Sequence, residues 1–407
     1  MVDIKEQIKI IAKGADTIIE INELENKLIK AHKEGKQLTV KLGLDPTAPD
    51  IHLGHAVVLR KIRQIQDLGH KAVIIIGDFT GRIGDPTGKS KTRKPLTEEQ
   101  VLSNAKTYQD QIFKILDKDK TELKFNSEWL SKLNFRDVIE LCSKYTVARM
   151  LEREDFKNRF SLHQSIGIHE FFYPLMQAYD SIAINADIEF GGTDQRFNIL
   201  MGRTLQKDYG LESQIAIFMP ILEGIDGVDK MSKSLGNYIG IYEEPQEMFV
   251  KVMQIPDNMI IKYFNLCTDI HPDEINRIEQ ELNSNNTNPR DIKIRLAREI
   301  VTLYHDENKA LKAEEYFVQV YTNRNTPDNI PQVVIDERFE ENNSVDMVSV
   351  IWSLNMVSSK SEIRRLIEQG GVKINGDKLI DFKNSNIKNG DILQIGKNKF
   401  AKLIRNK

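Results

Sequence analysis

Apolar side chains open the chain at Ile4, Ile8, Ile11, Ile18, Ile21, Leu24 and Leu28, mostly three or four apart, with Gly14 interrupting the series. Residues at that spacing share one helical face, so the pattern predicts one or two amphipathic helices. After Gly35 the pattern changes: Leu38-Thr-Val-Lys-Leu-Gly-Leu44 reads as a short strand, Asp45-Pro-Thr-Ala-Pro49 as a turn and His55 to Leu68 as a helix. Ala72-Val-Ile-Ile-Ile76, ended by Gly77, is continuously apolar, which suits a strand buried on both faces of a parallel sheet. Together these segments make one βαβ unit.

Helical and strand-like segments alternate as far as about residue 222, the sign of an α/β architecture. Between 245 and 322 strand signals vanish, and Met248, Val252, Ile260, Phe264 and the pattern from Ile292 to Tyr321 predict helices. Asn323 to Val345 carries Pro327, Pro331, repeated Asn and Glu337, Glu340 and Glu341, the composition of an exposed linker. Beyond it a new unit is predicted, a helix and several short strands broken at Asn375-Gly, Asn389-Gly and Ile395-Gly. A chain of 407 residues has room for several domains, since single cores stop growing at roughly 250 to 300 residues.

The net charge of −3 hides a division. Residues 345–407 carry 12 Lys plus Arg against 6 Asp plus Glu, net +6, so of the 57 and 60 in the whole chain residues 1–344 keep 45 against 54, net −9. A basic tail on an acidic body fits a polyanionic partner and, equally, a solvated charged face. The 40% hydrophobic and 29% charged residues exclude disordered and collagenous classes. The longest aliphatic run, Ala72 to Ile76, is far short of the roughly 20 residues that span a bilayer, so no membrane segment is expected. Asp3 and Glu6 at an N-terminus without an apolar signal region predict a cytoplasmic protein. Cys142 and Cys267 lie 125 positions apart with no Cys or His at metal-ligand spacing, so neither a structural zinc nor a disulfide framework is expected, and both read as small hydrophobes.

Two short motifs carry the chemistry. His52-Leu-Gly-His55 falls where the turn meets a helix, whose N-terminus offers unpaired N–H groups and a partial positive charge suited to phosphate. Gly54 lets a ring or phosphate approach the backbone. The alternative is a capped helix with incidental histidines. Lys230-Met-Ser-Lys-Ser234, flanked by Gly224, Gly227 and Gly236, can close over a polyphosphate and supply charge to a leaving group.

Together these motifs resemble the HIGH-like and KMSKS-like signatures of class I aminoacyl-tRNA synthetases. Gly43-Leu-Asp-Pro-Thr47, Thr80-Gly-Arg-Ile-Gly-Asp-Pro86, Tyr173-Pro-Leu-Met-Gln-Ala-Tyr-Asp180 and Gly191-Gly-Thr-Asp-Gln195 narrow the resemblance to the tyrosyl-tRNA synthetases, over essentially the whole chain. The resemblance implies a Rossmann-like parallel-sheet catalytic domain over residues 1–235, an α-helical anticodon-side domain over 236–325, a linker over 326–344 and a small α+β, S4-like RNA-binding domain over 345–407. It implies activation of L-tyrosine by ATP, with Mg²⁺ carried on the nucleotide, then transfer of tyrosine to tRNA(Tyr) by a homodimer.

By the same resemblance Thr47, His52, His55, Lys230 and Lys233 stabilise the polyphosphate, with Gly54, Lys89, Arg93 and Ser234 also at ATP. Solvation of an exposed loop is as good a reading for Lys89 and Arg93, which lie in a charge run. Asp85, Tyr173 and Gln177 would hold the substrate ammonium, Asp180 the phenolic hydroxyl and Gln195 the carboxylate. Tyr173, Gln177 and Asp180 fall at i, i+4 and i+7, one face of a helix. Asp194, Asn126 and Trp129 also match pocket positions. Lys41 stands where many tyrosyl enzymes have a tyrosine that binds the hydroxyl; it either pairs with Asp180 in the substrate site or points away. Arg364, Arg365 and Lys373 of the tail would meet RNA phosphates. His163 and His169 read as structural. The rivals are a tryptophanyl-tRNA synthetase, which shares both signatures, and a non-catalytic RNA-binding protein on the same scaffold.

Overall fold

The computed structural model describes residues 2–45, 51–85, 107–284, 287–322, 332–341, 344–354, 356–357, 359–384, 387–396 and 399–405. Thr47, Lys89 and Arg93 lie outside the described residues. The chain divides into two compact units, Met1–Ala310 and Leu311–Lys407, which groups the helices after residue 236 with the sheet.

In the first unit α1 (Ile4–Ala12) is capped by the Asp3 carboxylate, which accepts from the Lys5 N–H at 3.1 Å. Helical spacing alone misses the next element: Thr17–Ile19 is a strand, β1, too short to show a period of two. α2 (Ile21–Glu34) ends at Gly35, whose φ of 63° is the left-handed conformation a glycine adopts freely. β2 (Thr39–Leu44), α3 (Leu53–Asp67) and β3 (Lys71–Ile76) form the expected βαβ unit, the strands parallel with Val40 opposite Ala72 and Leu42 opposite Ile74.

β4 (Thr121–Phe125), α4 (Phe135–Ser143), α5 (Phe172–Ala183), β5 (Ile188–Gly192), α6 (Arg196–Asp208) and β6 (Ile215–Met219) complete the α/β layer. The six-stranded sheet has the order β1-β6-β5-β2-β3-β4, and β1 alone among its paired strands runs antiparallel, against β6. β6, apolar throughout, is buried along its whole length, as a strand covered on both faces must be. Strand order departs in opposite directions from β2 and β5, so the crevice at their carboxyl ends is the switch point where such sheets bind ligands.

α7 (Pro245–Gln254), α8 (Ile260–Cys267), α9 (Pro272–Asn283) and α10 (Pro289–Tyr304) are helical as the spacing predicts, with Met248, Val252, Ile260 and Phe264 buried. Three of them begin with proline, which has no N–H to leave unpaired there.

In the second unit β7 (Gln332–Ile335) falls inside the stretch expected to be linker. It pairs in parallel with the last strand, Lys402 opposite Gln332; only Ile335 of its four residues is fully buried, too weak a signal to rise above the surrounding polar composition. α11 (Met347–Ser353) and α12 (Lys360–Glu368) pack Val348, Ile351, Ile363 and Ile367 against Val372, Leu393 and Leu403 of β8 (Val372–Ile374), β9 (Ile392–Ile395) and β10 (Lys399–Arg405). The Asn375-Gly376 break is a hairpin turn, both residues at positive φ, 51° and 92°. Arg364 and Arg365 are exposed on α12 and Lys373 is half-buried on β8.

Candidate active site

His52, with an extended backbone, caps the start of α3, and His55 follows within its first turn. The two imidazoles stack with centroids 3.9 Å apart and planes 24° apart. Gly54 makes room for that stack: a Cβ there would stand 3.0 Å from His52 Cε1 and 3.1 Å from its Nδ1.

The Lys230–Ser234 segment and the residues after it dock on the same helix start. The Leu53 N–H donates to the Ile239 carbonyl at 2.9 Å, and the Gly54 N–H meets Met231 Sδ at 3.3 Å. The helix terminus is therefore less open to a phosphate than its position suggests, since one N–H is satisfied by a carbonyl and another faces a weak sulfur acceptor. Electropositive character here comes from side chains. Met231, 1% exposed, anchors the loop, while Lys230, Lys233 and Ser234 are exposed. The buried Asn237 holds the loop base, accepting from the Ser232 N–H at 2.8 Å and donating to Asp226 at 2.6 Å. The Lys233 ammonium lies 5.6 Å from the Tyr238 ring.

Burial, then His55, Lys230 and Lys233, push His52 down to about 3, and burial with the two lysines pushes His55 down to about 4. Both rings are neutral near pH 7 and act there as hydrogen-bonding groups. His52 is buried and its Nδ1 has no hydrogen-bond partner among the described residues. An unpaired buried nitrogen costs about 1–3 kcal/mol, so this atom favours a ligand that engages it.

His52, Gly54, His55 and Lys230 line one end of a cavity of about 330 Å³ whose other walls include Asp45, Asp85, Asn126, Tyr173, Gln177, Asp180 and Gln195. The helical spacing of Tyr173, Gln177 and Asp180 brings all three to this cavity from α5. The Tyr173 hydroxyl donates to Asp45 Oδ2 at 2.8 Å, and Asp45 Oδ1 accepts from Thr80 Oγ1 at 3.1 Å. Burial first, then the Asp45 carboxylate, raise Tyr173 so that its phenol stays protonated.

Asp180 accepts from Trp129 Nε1 at 2.8 Å and from Asn126 Nδ2 at 3.4 Å. Burial outweighs these donors and the nearby Lys41 charge, leaving the Asp180 carboxyl pushed up to about 7. Asp85 accepts from Arg153 at 3.0 Å and from Gln195 Nε2 at 2.9 Å. Asn198 donates to Gln177 Oε1 at 3.0 Å and to Gln195 Oε1 at 3.1 Å, tying the amides together.

Lys41, expected among the substrate-contacting groups, is absent from the cavity wall. Its ammonium is fully buried and bound to Glu189 Oε1 at 2.9 Å, Ser181 Oγ at 2.7 Å and the Gln177 carbonyl at 2.9 Å. The β2–β5 register sets Lys41 directly opposite Glu189, so the pair forms beneath α5 and a direct ion pair with Asp180 is not made. His163 and His169 are exposed and outside the cavity wall, and burial pushes the Cys267 thiol up to about 12.

Three residues of this network carry no expectation from sequence. Asp45 belongs to the Gly43–Thr47 motif but reads as a turn residue, while Arg153 and Asn198 give no local signal, because their meaning lies in partners far along the chain. Among the described residues no group of three or more His, Cys, Asp or Glu is placed to hold a metal ion, and no helix is long and apolar enough to cross a membrane.

Residues 33–322 match the family model described as tRNA synthetases class I (W and Y), and residues 348–379 match the S4 domain. "Tyrosine--tRNA ligase 2" of Clostridium acetobutylicum is 67% identical over 404 residues, 99% of this chain and 100% of that protein. The tyrosine–tRNA ligase of Carboxydothermus hydrogenoformans is 56% identical over 404 residues, 99% of this chain and 98% of that one. The crystal structure of a tyrosyl-tRNA synthetase from Archaeoglobus fulgidus complexed with L-tyrosine shares the fold, with a TM-score of 0.60 at 22% identity over 76% of this chain and 100% of that one.

Proposed function

The chain belongs to the class I tRNA synthetases of tryptophan and tyrosine, and we infer that it is a tyrosine-specific member: it activates L-tyrosine with ATP and charges tRNA with it. The tyrosine carboxylate oxygen bonds to the α-phosphorus of ATP, the bond from that phosphorus to the bridging oxygen breaks, and pyrophosphate leaves. The terminal ribose hydroxyl of tRNA(Tyr) then displaces AMP from tyrosyl-adenylate. The nucleophile of the first step is already an anion, so no general base is needed, and positioning and charge stabilisation supply the catalysis.

We assign the roles as follows. His52 and His55, neutral, hydrogen-bond the phosphates, Lys230 and Lys233 offset the charge that develops on the leaving pyrophosphate, and Ser234 and Gly54, the latter by leaving room for the His52 ring, complete the nucleotide site. Thr47, Lys89 and Arg93 join them on the strength of the motif resemblance. Asp180 accepts from the phenolic hydroxyl, Gln177 and Asp85 hold the ammonium, and Gln195 steers the carboxylate. Tyr173, whose hydroxyl is committed to Asp45, acts on the ammonium together with that carboxylate. Mg²⁺ would come with ATP and screen its phosphates.

The S4 unit, with Arg364, Arg365 and Lys373, would hold tRNA phosphates. Phe135, Ile139, Val147, Phe160 and Leu162 are all more than half exposed within one stretch of the first unit, which supports a second copy of the chain as the cover of that surface. We place the protein in the cytoplasm, where its three substrates meet.

The observation that carries the reading is Asp180, a buried carboxyl with two neutral donors at one end of a cavity whose other end holds His52, His55 and Lys230. Exchange of labelled pyrophosphate into ATP tests it. Tyrosine should support exchange, with phenylalanine and tryptophan far weaker; exchange driven by tryptophan and not tyrosine would overturn it.

A further inference from the structure

Lys41, fully buried, is a charge that the reaction leaves without a job. All three protons of its ammonium are engaged: Glu189 Oε1 at 2.9 Å, the Ser181 hydroxyl at 2.7 Å and the Gln177 carbonyl at 2.9 Å. Two of these partners lie on α5, one helical turn apart, and Asp180 sits between them in the chain. Glu189 is held in turn: its Oε2 accepts from the Ser181 hydroxyl at 3.0 Å and from Gln214 Nε2. The clamp is thus a closed set of bonds joining the two strands at the switch point to the helical turn that presents Gln177 and Asp180 to the cavity.

A buried ion pair is a weak way to gain stability, because desolvating both charges can cost more than their attraction returns. We propose that Lys41 is a specificity-determining positioning residue, locking the α5 turn so that Asp180 and Gln177 meet the phenolic and ammonium ends of tyrosine in fixed register. The inference rests on the reading that Asp180 meets the phenolic hydroxyl. Lys41 is absent from the cavity wall and its bonds run to the helix that carries Gln177 and Asp180, so its effect should fall on tyrosine and spare ATP. The charge of Lys41 also favours the ionised Asp180 carboxylate against the cost of burial.

The test is pyrophosphate exchange by the full chain, with kcat and KM measured for tyrosine, phenylalanine and ATP beside the melting temperature. Lys41→Met combined with Glu189→Gln removes both charges together, since deleting one would leave the other buried and unpaired. The tyrosine KM should rise about tenfold or more, and the tyrosine-over-phenylalanine ratio of kcat/KM should fall about as much, with the ATP KM unchanged, as misplacement of binding groups predicts. A folded double variant with the wild-type tyrosine KM and ratio would overturn the proposal.

If that variant does not fold, Ser181→Ala, which cuts the hydroxyl out of the clamp and keeps both charges, carries the same test. It should raise the tyrosine KM a few-fold and spare the ATP KM; an unchanged tyrosine KM would overturn the proposal. Wild-type enzyme and Asp180→Ala run in parallel. Absence of tyrosine-dependent exchange in the wild type would sink the underlying reading, whereas lost selectivity in Asp180→Ala with selectivity intact in the Lys41 variants would sink this inference alone.

Discussion

The two ends of the cavity are built on opposite plans. At the acidic end the side chains are already bonded to one another: Tyr173 to Asp45, Asp85 to Arg153 and Gln195, Asp180 to Trp129 and Asn126. At the basic end His52 and His55 stack on each other, His52 Nδ1 has no hydrogen-bond partner among the described residues, and Lys230 and Lys233 stand exposed on a loop pinned at its base. A rigid, satisfied network discriminates among ligands because a wrong one leaves buried groups unpaired. An exposed pair of cations instead suits a charge that appears during the reaction. Selection and acceleration are thus assigned to different ends of one pocket.

Substitutions that separate these tasks give the largest effects. Lys230→Ala with Lys233→Ala should lower kcat for tyrosine-dependent exchange about 10³-fold or more, on the scale of losing preorganised charge stabilisation, with the tyrosine KM little changed. His52→Ala with His55→Ala should cost about 10²- to 10³-fold in the same assay. A rise in tyrosine KM as large as the loss in kcat would mean that the two ends are not separable. At the other end Asp180→Ala should spare most of kcat and cut the preference for tyrosine over phenylalanine by about 10²-fold, the scale of an interaction with a buried charged acceptor. Unchanged discrimination would remove Asp180 from the specificity role.

The basic end was more legible in the sequence than the acidic end, for a physical reason. Local sequence carries the phosphate-side features: two imidazoles in one helical turn and two lysines in one loop each form a signal within five residues. The same holds for the strand Ala72–Ile76, a continuous apolar run, and for Tyr173, Gln177 and Asp180, whose spacing places them on one helix face. The acidic network is built from pairings across the chain: Asp45 with Tyr173, Asp85 with Arg153, Lys41 with Glu189. No periodicity records such a pairing, so Lys41 reads as a substrate-contacting residue when its strand register commits it to Glu189. The short strands Thr17–Ile19 and Gln332–Ile335 escape for the opposite reason, having too few residues to establish a period.

The S4 unit offers a control that leaves both ends of the cavity intact. Arg364→Ala with Arg365→Ala should weaken tRNA charging about tenfold and lower the salt dependence of tRNA binding, by about one unit of log–log slope for each phosphate that an arginine no longer neutralises. Pyrophosphate exchange, which needs no tRNA, should be unchanged. Loss of exchange in this variant would contradict the division between activation and tRNA capture.

The smallest expected effect is a pH dependence that belongs to the acidic end alone. Asp180 is raised from its ordinary 3.8 to about 7, with burial the leading cause. Between those values the native state holds a proton that the unfolded chain has released, so this group makes stability fall as pH rises through the window and adds no further slope above it. Tyrosine recognition should run the other way. A phenolic hydroxyl donates best to an ionised carboxylate, so preference for tyrosine over phenylalanine should rise a few-fold between about pH 6 and 8, a modest amount because a neutral carboxyl still accepts through its carbonyl oxygen. The charged and titratable neighbours that act on Asp180 or answer to it are Lys41 on β2, Glu189 on β5 and Tyr173 on α5. His52 and His55, lowered to about 3 and about 4, stay neutral throughout and contribute no step. Selectivity measured against pH in the wild type and in Asp180→Ala separates the sources: a rise present in the first and missing from the second assigns it to Asp180, and a rise that survives the substitution assigns it elsewhere.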